Sequence, residues 1–153
     1  MISKMDFYKK YFEETWANPP ASMVAANNKY LSDDFKNYDK DGKVLMDKKT
    51  YVGMAMLLAA AFKDIKGVYS SVREEGDNVI VTYHFEGTHT GPLDLSAMGL
   101  GVIPPSGKKI VWPDDMAAFE IRGDKIVSIR PYGPSGSGME GFLEPLGVKL
   151  PTA

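Results

Sequence analysis

The strongest constraint on the fold is a change in the spacing of apolar residues, from helical spacing before Val68 to alternation after it. The alternation is clearest over residues 79–86, where apolar side chains at odd positions interleave with Thr82 and His84. Because successive side chains of a strand point to opposite faces, this stretch predicts a strand with one buried face. Two further strands are predicted over 110–121 and 125–132, joined by a tight turn.

The first third of the chain predicts helices instead. Ser3 can cap a first helix, and Asn18-Pro19-Pro20 ends it because proline lacks an amide donor. A second helix is predicted over 21–31, and a third, capped by Asp47, over about 48–63. The stripe of the first helix is Met5, Tyr8, Tyr11, Phe12 and Trp16. Helices followed by a run of strands predict an α+β fold.

Composition limits the class of protein. The 153 residues suffice for one domain with a core, and we predict a single domain over 1–153. A net charge of -2 with scattered basic residues argues against a nucleic-acid partner, and the absence of cysteine excludes disulfides and thiolate chemistry. The N-terminus has no apolar signal core, and the longest apolar run, 52–62, is too short to span a bilayer. We therefore predict a cytoplasmic protein with no membrane partner.

Two segments lack a clear period. Residues 91–107 form a long inserted loop, and loops of this length often cover binding sites. The apolar side chains within 93–102 must be buried, and we predict that they cover the mouth of a cavity or a dimer partner. Residues 133–153 begin with a Gly/Ser-rich strip, which predicts a flexible segment followed by a short helix over 139–146.

Three motifs follow one another in a defined order: G-T-H-T-G at 87–91, P-P-S-G-K at 104–108, and the turn G-D-K at 123–125. Together with the ending over 142–151, they make the chain resemble the SnoaL-like polyketide cyclase family, within the nuclear-transport-factor-2-like superfamily. The resemblance implies a cone-shaped, curved mixed or antiparallel sheet wrapped around the N-terminal helices, as in cystatin-like α+β barrels. It also implies an apolar small-molecule cavity inside the cone, a homodimer, and a cofactor-independent aldol closure of a hydrophobic carbonyl compound.

The position of the family's catalytic aspartate holds a different residue here. In the cyclases that acid lies two residues before an aromatic, and counting back from the turn puts the aromatic at Phe119 and the acid at Ala117. Asp115 lies two residues earlier on the same strand face, so it is a candidate shifted acid/base. Pro113 indicates an edge or a bulge, which would place Asp114 inside instead. Alternatively, both aspartates form a solvated kink.

His89 is the second candidate proton carrier. Alternation puts it on the face of Tyr83 and Phe85, and an imidazole titrates near neutral pH. Alternatively, His89 bonds to the backbone and shapes the loop. His84 falls on the opposite face, where we expect an outer sheet surface or a dimer contact. Because the two histidines face opposite ways and no zinc motif is present, we predict no metal site.

Large apolar side chains supply candidate walls for the predicted cavity. They are Trp16, Tyr38, Tyr51, Met54, Leu58, Tyr83, Phe85, Met98, Trp112, Met116, Phe119 and Tyr132. Many of them would equally well fill the core. Three functions remain open at this point: a cofactor-independent cyclase or isomerase, a non-catalytic protein that binds an apolar ligand, and a dimeric interaction module.

Overall fold

The computed structural model describes residues 2–96, 99–132 and 146, and these ranges form three helices and nine strands. The helices are α1 (Lys4–Thr15), α2 (Ala21–Tyr30) and α3 (Lys48–Ala61). The strands are β1 (Leu31–Tyr38), β2 (Val44–Asp47), β3 (Lys66–Glu75), β4 (Asn78–Thr88), β5 (Leu93–Asp94), β6 (Val102–Ile103), β7 (Lys109–Val111), β8 (Asp115–Arg122) and β9 (Lys125–Pro131). None of the helices in the described ranges is long and apolar enough to cross a bilayer.

Seven of the strands form one curved sheet. Its order is β2-β1-β9-β8-β4-β3, and β7 pairs with β4 beside β8. The β1–β9 pair is parallel and the other pairs are antiparallel, so the sheet is mixed. Strands β5 and β6 form a separate two-stranded sheet. Side chains of α1 and α2 pack against the concave face of the large sheet, which confirms the predicted α+β fold class.

Side-chain caps explain where two helices begin. Ser3 Oγ accepts a hydrogen bond from Asp6 N (3.1 Å), and Asp47 Oδ1 accepts one from Thr50 N (2.9 Å). Each bond satisfies a backbone donor that has no partner within the first turn of its helix. Both caps were predicted from the sequence. The third helix ends two residues earlier than expected, at Ala61, because the backbone at the following residue leaves the helical conformation (φ -126°, ψ 85°).

The strand predicted over 110–121 is divided in two. Strands β7 and β8 both pair with β4, and the break between them covers Trp112, Pro113 and Asp114. Pro113 has no backbone N–H to donate, so it cannot continue a ladder on this strand. Trp112 N still donates to Phe85 O (3.0 Å), which keeps the two pieces in line. The break determines which of the following side chains face the concave side.

The inserted loop packs within the chain. Leu93 and Leu95 are almost fully buried, in a second core cluster that also contains Phe62 and Trp112. Leu146 is half-buried against the same cluster. The prediction that residues 93–102 cover a cavity mouth or a dimer partner stays a prediction. The short helix predicted over 139–146 lies, apart from Leu146, outside the described residues.

Candidate functional site

The concave face of the sheet is built from paired residues of β4 and β8. Val79 lies opposite Phe119, and Val81 lies opposite Ala117. These four side chains are at most 5% exposed, so this part of the concave face is fully covered. One pair further along, Tyr83 lies opposite Asp115, and both side chains are half-buried. Accessibility therefore rises along the concave face towards the end that carries a phenol and a carboxylate.

The break at Pro113 decides between the two aspartates. Asp115 is the first residue of β8 and shares the concave face with its partner Tyr83, and its Oδ1 accepts a hydrogen bond from Met116 N (2.8 Å). Asp114 precedes the strand and lies on the outer side, where its Oδ1 is 3.0 Å from His84 Nδ1. The alternative prediction, in which a bulge turns Asp114 inward, is therefore wrong. His84 lies on the outer surface, as the alternation predicted.

The charge of Asp115 acts on the phenol opposite it. Burial, and after it the negative charge of Asp115, raises the pKa of Tyr83 well above the usual range. Burial also raises the pKa of Tyr51, on α3, to about 12, and it raises the pKa of Tyr8, on α1. All three phenols keep their protons at neutral pH. The concave face thus offers hydrogen-bond donors beside one carboxylate.

Five half-buried rings form what we call the aromatic cluster: Phe12 and Trp16 from α1, Tyr69 from β3, and Tyr83 and Phe85 from β4. The ring centroid of Phe12 lies 4.9 Å from that of Tyr69 and 6.2 Å from that of Trp16. Phe85 continues the series, 5.5 Å from Trp16 and 5.3 Å from Tyr83. Tyr69 and Tyr83 are partners across β3 and β4, which closes the series into a ring.

His89 lies away from Asp115. Its side chain is 1% exposed and stacks on Phe62 with 4.8 Å between ring centroids. Among the described residues its Nε2 has no hydrogen-bond partner, and its backbone pairs with residues 107 and 108. Six residues of extended chain separate His89 from Tyr83, a span of up to about 20 Å. The structure therefore does not bring the two predicted proton carriers together.

The other predicted wall residues fall into three groups. Phe119 packs in the covered part of the concave face against Tyr8 (4.8 Å between centroids), while Trp112 belongs to the second core cluster and Met54 and Leu58 pack against it. Tyr38, Tyr132 and Met116 lie on the outer face, so the prediction that they line the interior is wrong. Tyr38 lies 3.8 Å beneath the Arg130 guanidinium, Tyr132 OH accepts from Arg73 (3.2 Å), and Met116 pairs with Thr82. Met98 lies outside the described residues.

Tyr69 and Phe12 belong to the aromatic cluster, although neither is among the wall residues predicted from the sequence. Phe12 was visible only as part of the apolar stripe of the first helix, which predicts burial but no ligand contact. Tyr69 precedes an irregularity in the pairing of β3 with β4, between Tyr69 and Ser71. That irregularity changes the alternation, so simple counting along β3 does not give the face of Tyr69.

Two surface depressions are lined by described residues that lie away from the concave face. One, of about 430 Å³, is on the outer face beside Ile80, Glu120 and Arg130. The other, of about 680 Å³, lies beside the start of α3 and is lined by Lys36, Lys49 and Met56 among others. Within the described ranges, no three His, Cys, Asp or Glu side chains group together as metal ligands.

Comparison with known proteins identifies relatives of this arrangement. The sequence profile of the SnoaL-like polyketide cyclase family matches residues 7–133. No curated protein matches the chain. Among solved structures, a putative SnoaL-like polyketide cyclase from Jannaschia sp. CCS1 is 19% identical with a TM-score of 0.66, and the match covers 86% of this chain and 89% of that one.

Two further solved structures match closely in fold. AclR, a putative hydroxylase from Streptomyces galilaeus, is 22% identical with a TM-score of 0.70, over 98% of this chain and 86% of that one. An NTF2-like protein of unknown function from Exiguobacterium sp. 255-15 is 16% identical with a TM-score of 0.59, over 84% and 98% of the two chains. At these identities the matches establish a shared fold.

Proposed function

The chain belongs to the SnoaL-like polyketide cyclase family, and from that premise we propose that it binds an apolar small molecule on the concave face of its sheet. The observation that supports this most directly is that the rings of the aromatic cluster remain partly exposed to solvent. Its rings face inward from three elements, yet each stays half-buried. By contrast, Val79 and Val81, near the start of β4, are fully buried. Inward-facing aromatic surface that its own core does not cover is suited to an apolar ligand.

The polar groups nearby are few and would orient such a ligand. The phenol of Tyr83 can donate a hydrogen bond, and the carboxylate of Asp115 can accept one. The next pair on the concave face is Val81 with Ala117. Ala117 stands where the family's cyclases have their acid, so this pair has no polar side chain. Apolar walls with a small number of polar groups are typical of small-molecule sites.

Binding can be tested with Nile red, a neutral dye whose fluorescence rises in apolar surroundings. We expect a saturable rise with one dye per chain, and an increase in melting temperature that follows ligand concentration. Phe85→Ala removes one ring of the aromatic cluster and should weaken binding about tenfold. The matched control is Val111→Ala, which removes an outward-facing side chain that is 57% exposed. Equal affinity of the two variants, or a rise that does not saturate, would contradict the proposal.

Catalysis is the second candidate function, and the pairing of Tyr83 with Asp115 favours it. In a hydrophobic carbonyl compound bound here, Tyr83 would donate a hydrogen bond to the carbonyl oxygen. Asp115 would remove the proton from the adjacent carbon and return it elsewhere in the molecule, as a cofactor-independent isomerase or cyclase requires. We assign the proton transfer to Asp115 rather than to His89, because the imidazole is nearly inaccessible and stacked in the core.

Proton removal next to a carbonyl can be followed by NMR as deuterium exchange into a bicyclic ketone such as 2-decalone. We expect the protein to accelerate exchange, and Asp115→Asn to abolish the acceleration while Nile red still binds. Asp114→Asn is the matched control, since that carboxylate lies on the outer face. Exchange that is unaffected by Asp115→Asn would remove this residue from the mechanism and leave non-catalytic binding as the function.

A further inference from the structure

We propose that His84 is a positioning residue: by holding Asp114 on the outer side of the sheet, it keeps Asp115 on the concave face opposite Tyr83. The inference rests on the proposed function, in which Asp115 is the proton carrier of the candidate isomerase or cyclase. Three observations support it: the register of the strands, the sides on which the side chains lie, and one contact across the break at Pro113.

The break between β7 and β8 has the geometry of a β-bulge. Glu86 pairs with Val111, and Tyr83 pairs with Asp115. Between these two pairs, β4 contributes two residues, but the opposite chain contributes three, residues 112–114. One extra residue moves every later side chain of that chain to the other face of the sheet.

His84 is the residue that faces the bulge. Trp112 N donates a hydrogen bond to Phe85 O (3.0 Å), which places these two residues opposite each other. His84 therefore lies opposite both Pro113 and Asp114. The missing donor of Pro113 accounts for the interrupted ladder, but it does not favour either aspartate as the inward one. That preference requires a further contact.

The bulge changes which positions are buried. Before it, Trp112 is buried and Val111 is 57% exposed, whereas after it Ala117 is buried. The buried positions thus change from even to odd numbers, which turns Asp114 outward and Asp115 inward. If the extra residue were accommodated after Asp115 instead, Asp114 would face inward while Ala117 stayed buried. The position of the bulge therefore decides which carboxylate enters the site.

One side-chain contact holds Asp114 on the outer side. Its Oδ1 lies 3.0 Å from Nδ1 of His84, whose side chain is 21% exposed. Nε2 of His84 lies 3.3 Å from Glu86, but Glu86 also pairs with Lys66 Nζ (3.0 Å). Because Glu86 has this second partner, the single N–H of a neutral imidazole is best placed on Nδ1, towards Asp114. Asp114 could not make this contact from the concave face, so the contact favours the register that turns Asp115 inward.

NMR tests the register directly and needs no ligand. In wild-type protein we expect NOEs between backbone protons of Tyr83 and Asp115. His84→Val keeps a strand-forming side chain but removes the donor, so these NOEs should weaken and NOEs between Tyr83 and Asp114 should appear. His84→Asn supplies a donor close to the position of Nδ1 and should restore the wild-type pattern. Glu86→Gln, the matched control, changes the other carboxylate and should keep that pattern. Wild-type NOEs in His84→Val would overturn the inference.

The rate of deuterium exchange into 2-decalone gives a second readout. His84→Val should lower the rate about tenfold, because it misplaces the proton carrier, and should leave Nile red affinity within about twofold. Asp114→Ala removes the acceptor and should cause the same loss, whereas Asp114→Asn keeps an acceptor oxygen for His84. The two losses should not add in the double variant of His84→Val with Asp114→Ala.

The outcomes separate this inference from the function beneath it. An unchanged rate in His84→Val, or losses that add in the double variant, would overturn the positioning role. Absence of exchange in wild-type protein would refute the candidate activity, and the NOEs would still decide whether His84 sets the register. Loss of Nile red binding in wild-type protein would refute the binding function without altering the NOE result.

Discussion

At the scale of single residues, the absence of a side chain at Gly67 positions the aromatic cluster. Gly67 lies on the concave side of β3, opposite Phe85. A Cβ atom built there would lie 2.6 Å from Cε2 and Nε1 of Trp16, which is well inside van der Waals contact. The indole therefore packs directly on the backbone of β3. Any larger residue at this position would displace one of the five rings.

Gly67→Ala should destabilise the protein by about 1–3 kcal/mol, because the added methyl overlaps the indole. We also expect a change in tryptophan emission and weaker Nile red binding. Gly53→Ala is the control. Gly53 lies inside α3 with no atom within 4 Å of an added Cβ, so alanine there should stabilise the helix by about 0.5–1 kcal/mol. Urea unfolding measures both. A neutral Gly67→Ala would mean that Trp16 has another position of equal energy.

Some residue positions could be predicted from the sequence, and others could not. Alternation in β4 correctly put Tyr83 and Phe85 on the concave face, because that strand contains a long unbroken series. In β1, Phe35 is the one apolar side chain that is fully buried after Leu31, so the pattern is too short to reveal that Tyr38 faces outward. Tyr132 follows the end of β9, where its backbone pairs with Met116 of the outer face.

At the scale of elements, a small set of hydrogen bonds joins the end of α3 to the end of β4. Asp64 accepts bonds from Thr88 N (2.7 Å) and Thr88 Oγ1 (2.9 Å). Ala61 O accepts from two backbone amides that follow β4, Thr90 N and Gly91 N, at 3.0 Å each. These contacts hold the helix that carries Tyr51 against the strand that carries Tyr83. They therefore set the spacing of elements around the candidate site.

Asp64 makes this junction dependent on pH. The bond from Thr88 N lowers the pKa of Asp64 in the folded chain, so the ionised form favours folding. This stabilisation is complete above the unfolded pKa of about 4 and is lost as pH falls through the lower folded pKa. We expect Asp64→Asn to destabilise the protein at pH 7 and to differ less from wild type near pH 3. Urea unfolding at the two pH values measures the difference.

Two variants sharpen that experiment. Thr88→Val removes the hydroxyl bond but keeps the backbone bond, so it should retain most of the pH dependence. Asp124→Asn changes an exposed carboxylate in the turn between β8 and β9 and should not alter it. A difference between Asp64→Asn and wild type that is the same at both pH values would contradict the proposed linkage.

The elements themselves were largely predictable. Both helix caps and the stop at Pro19-Pro20 follow from local chemistry. The long alternation of apolar residues in β4 and β8 was enough to predict strands there. Proline at 113 indicated an irregular strand, but its consequence for Asp114 and Asp115 depended on pairing with β4. Strands β5 and β6 were missed because two residues are too few to show a period, and tertiary contacts decide such short pairings.

At the scale of the whole molecule, the outer face of the sheet carries apolar side chains that the chain does not cover. Val68 is 36% exposed and Val111 is 57% exposed. They lie across the ladders from His84 and Glu86, respectively, so both project beside the group formed by His84, Glu86 and Asp114. Exposed apolar residues within a polar surround are common in protein interfaces. We propose that a second copy of the chain covers this face.

If two chains associate in this way, sedimentation equilibrium should give a mass of about twice 16.8 kDa. The double variant Val68→Lys with Val111→Lys should sediment as a single chain. Both side chains are exposed in one chain, so the variant should keep its circular dichroism spectrum, while two long charged side chains would have to lose their water in the dimer interface. Val102→Lys is the matched control, since Val102 is equally exposed (57%) but lies on the small sheet. Dissociation by Val102→Lys alone would place the partner on the inserted loop, and a wild-type mass of one chain would refute the dimer.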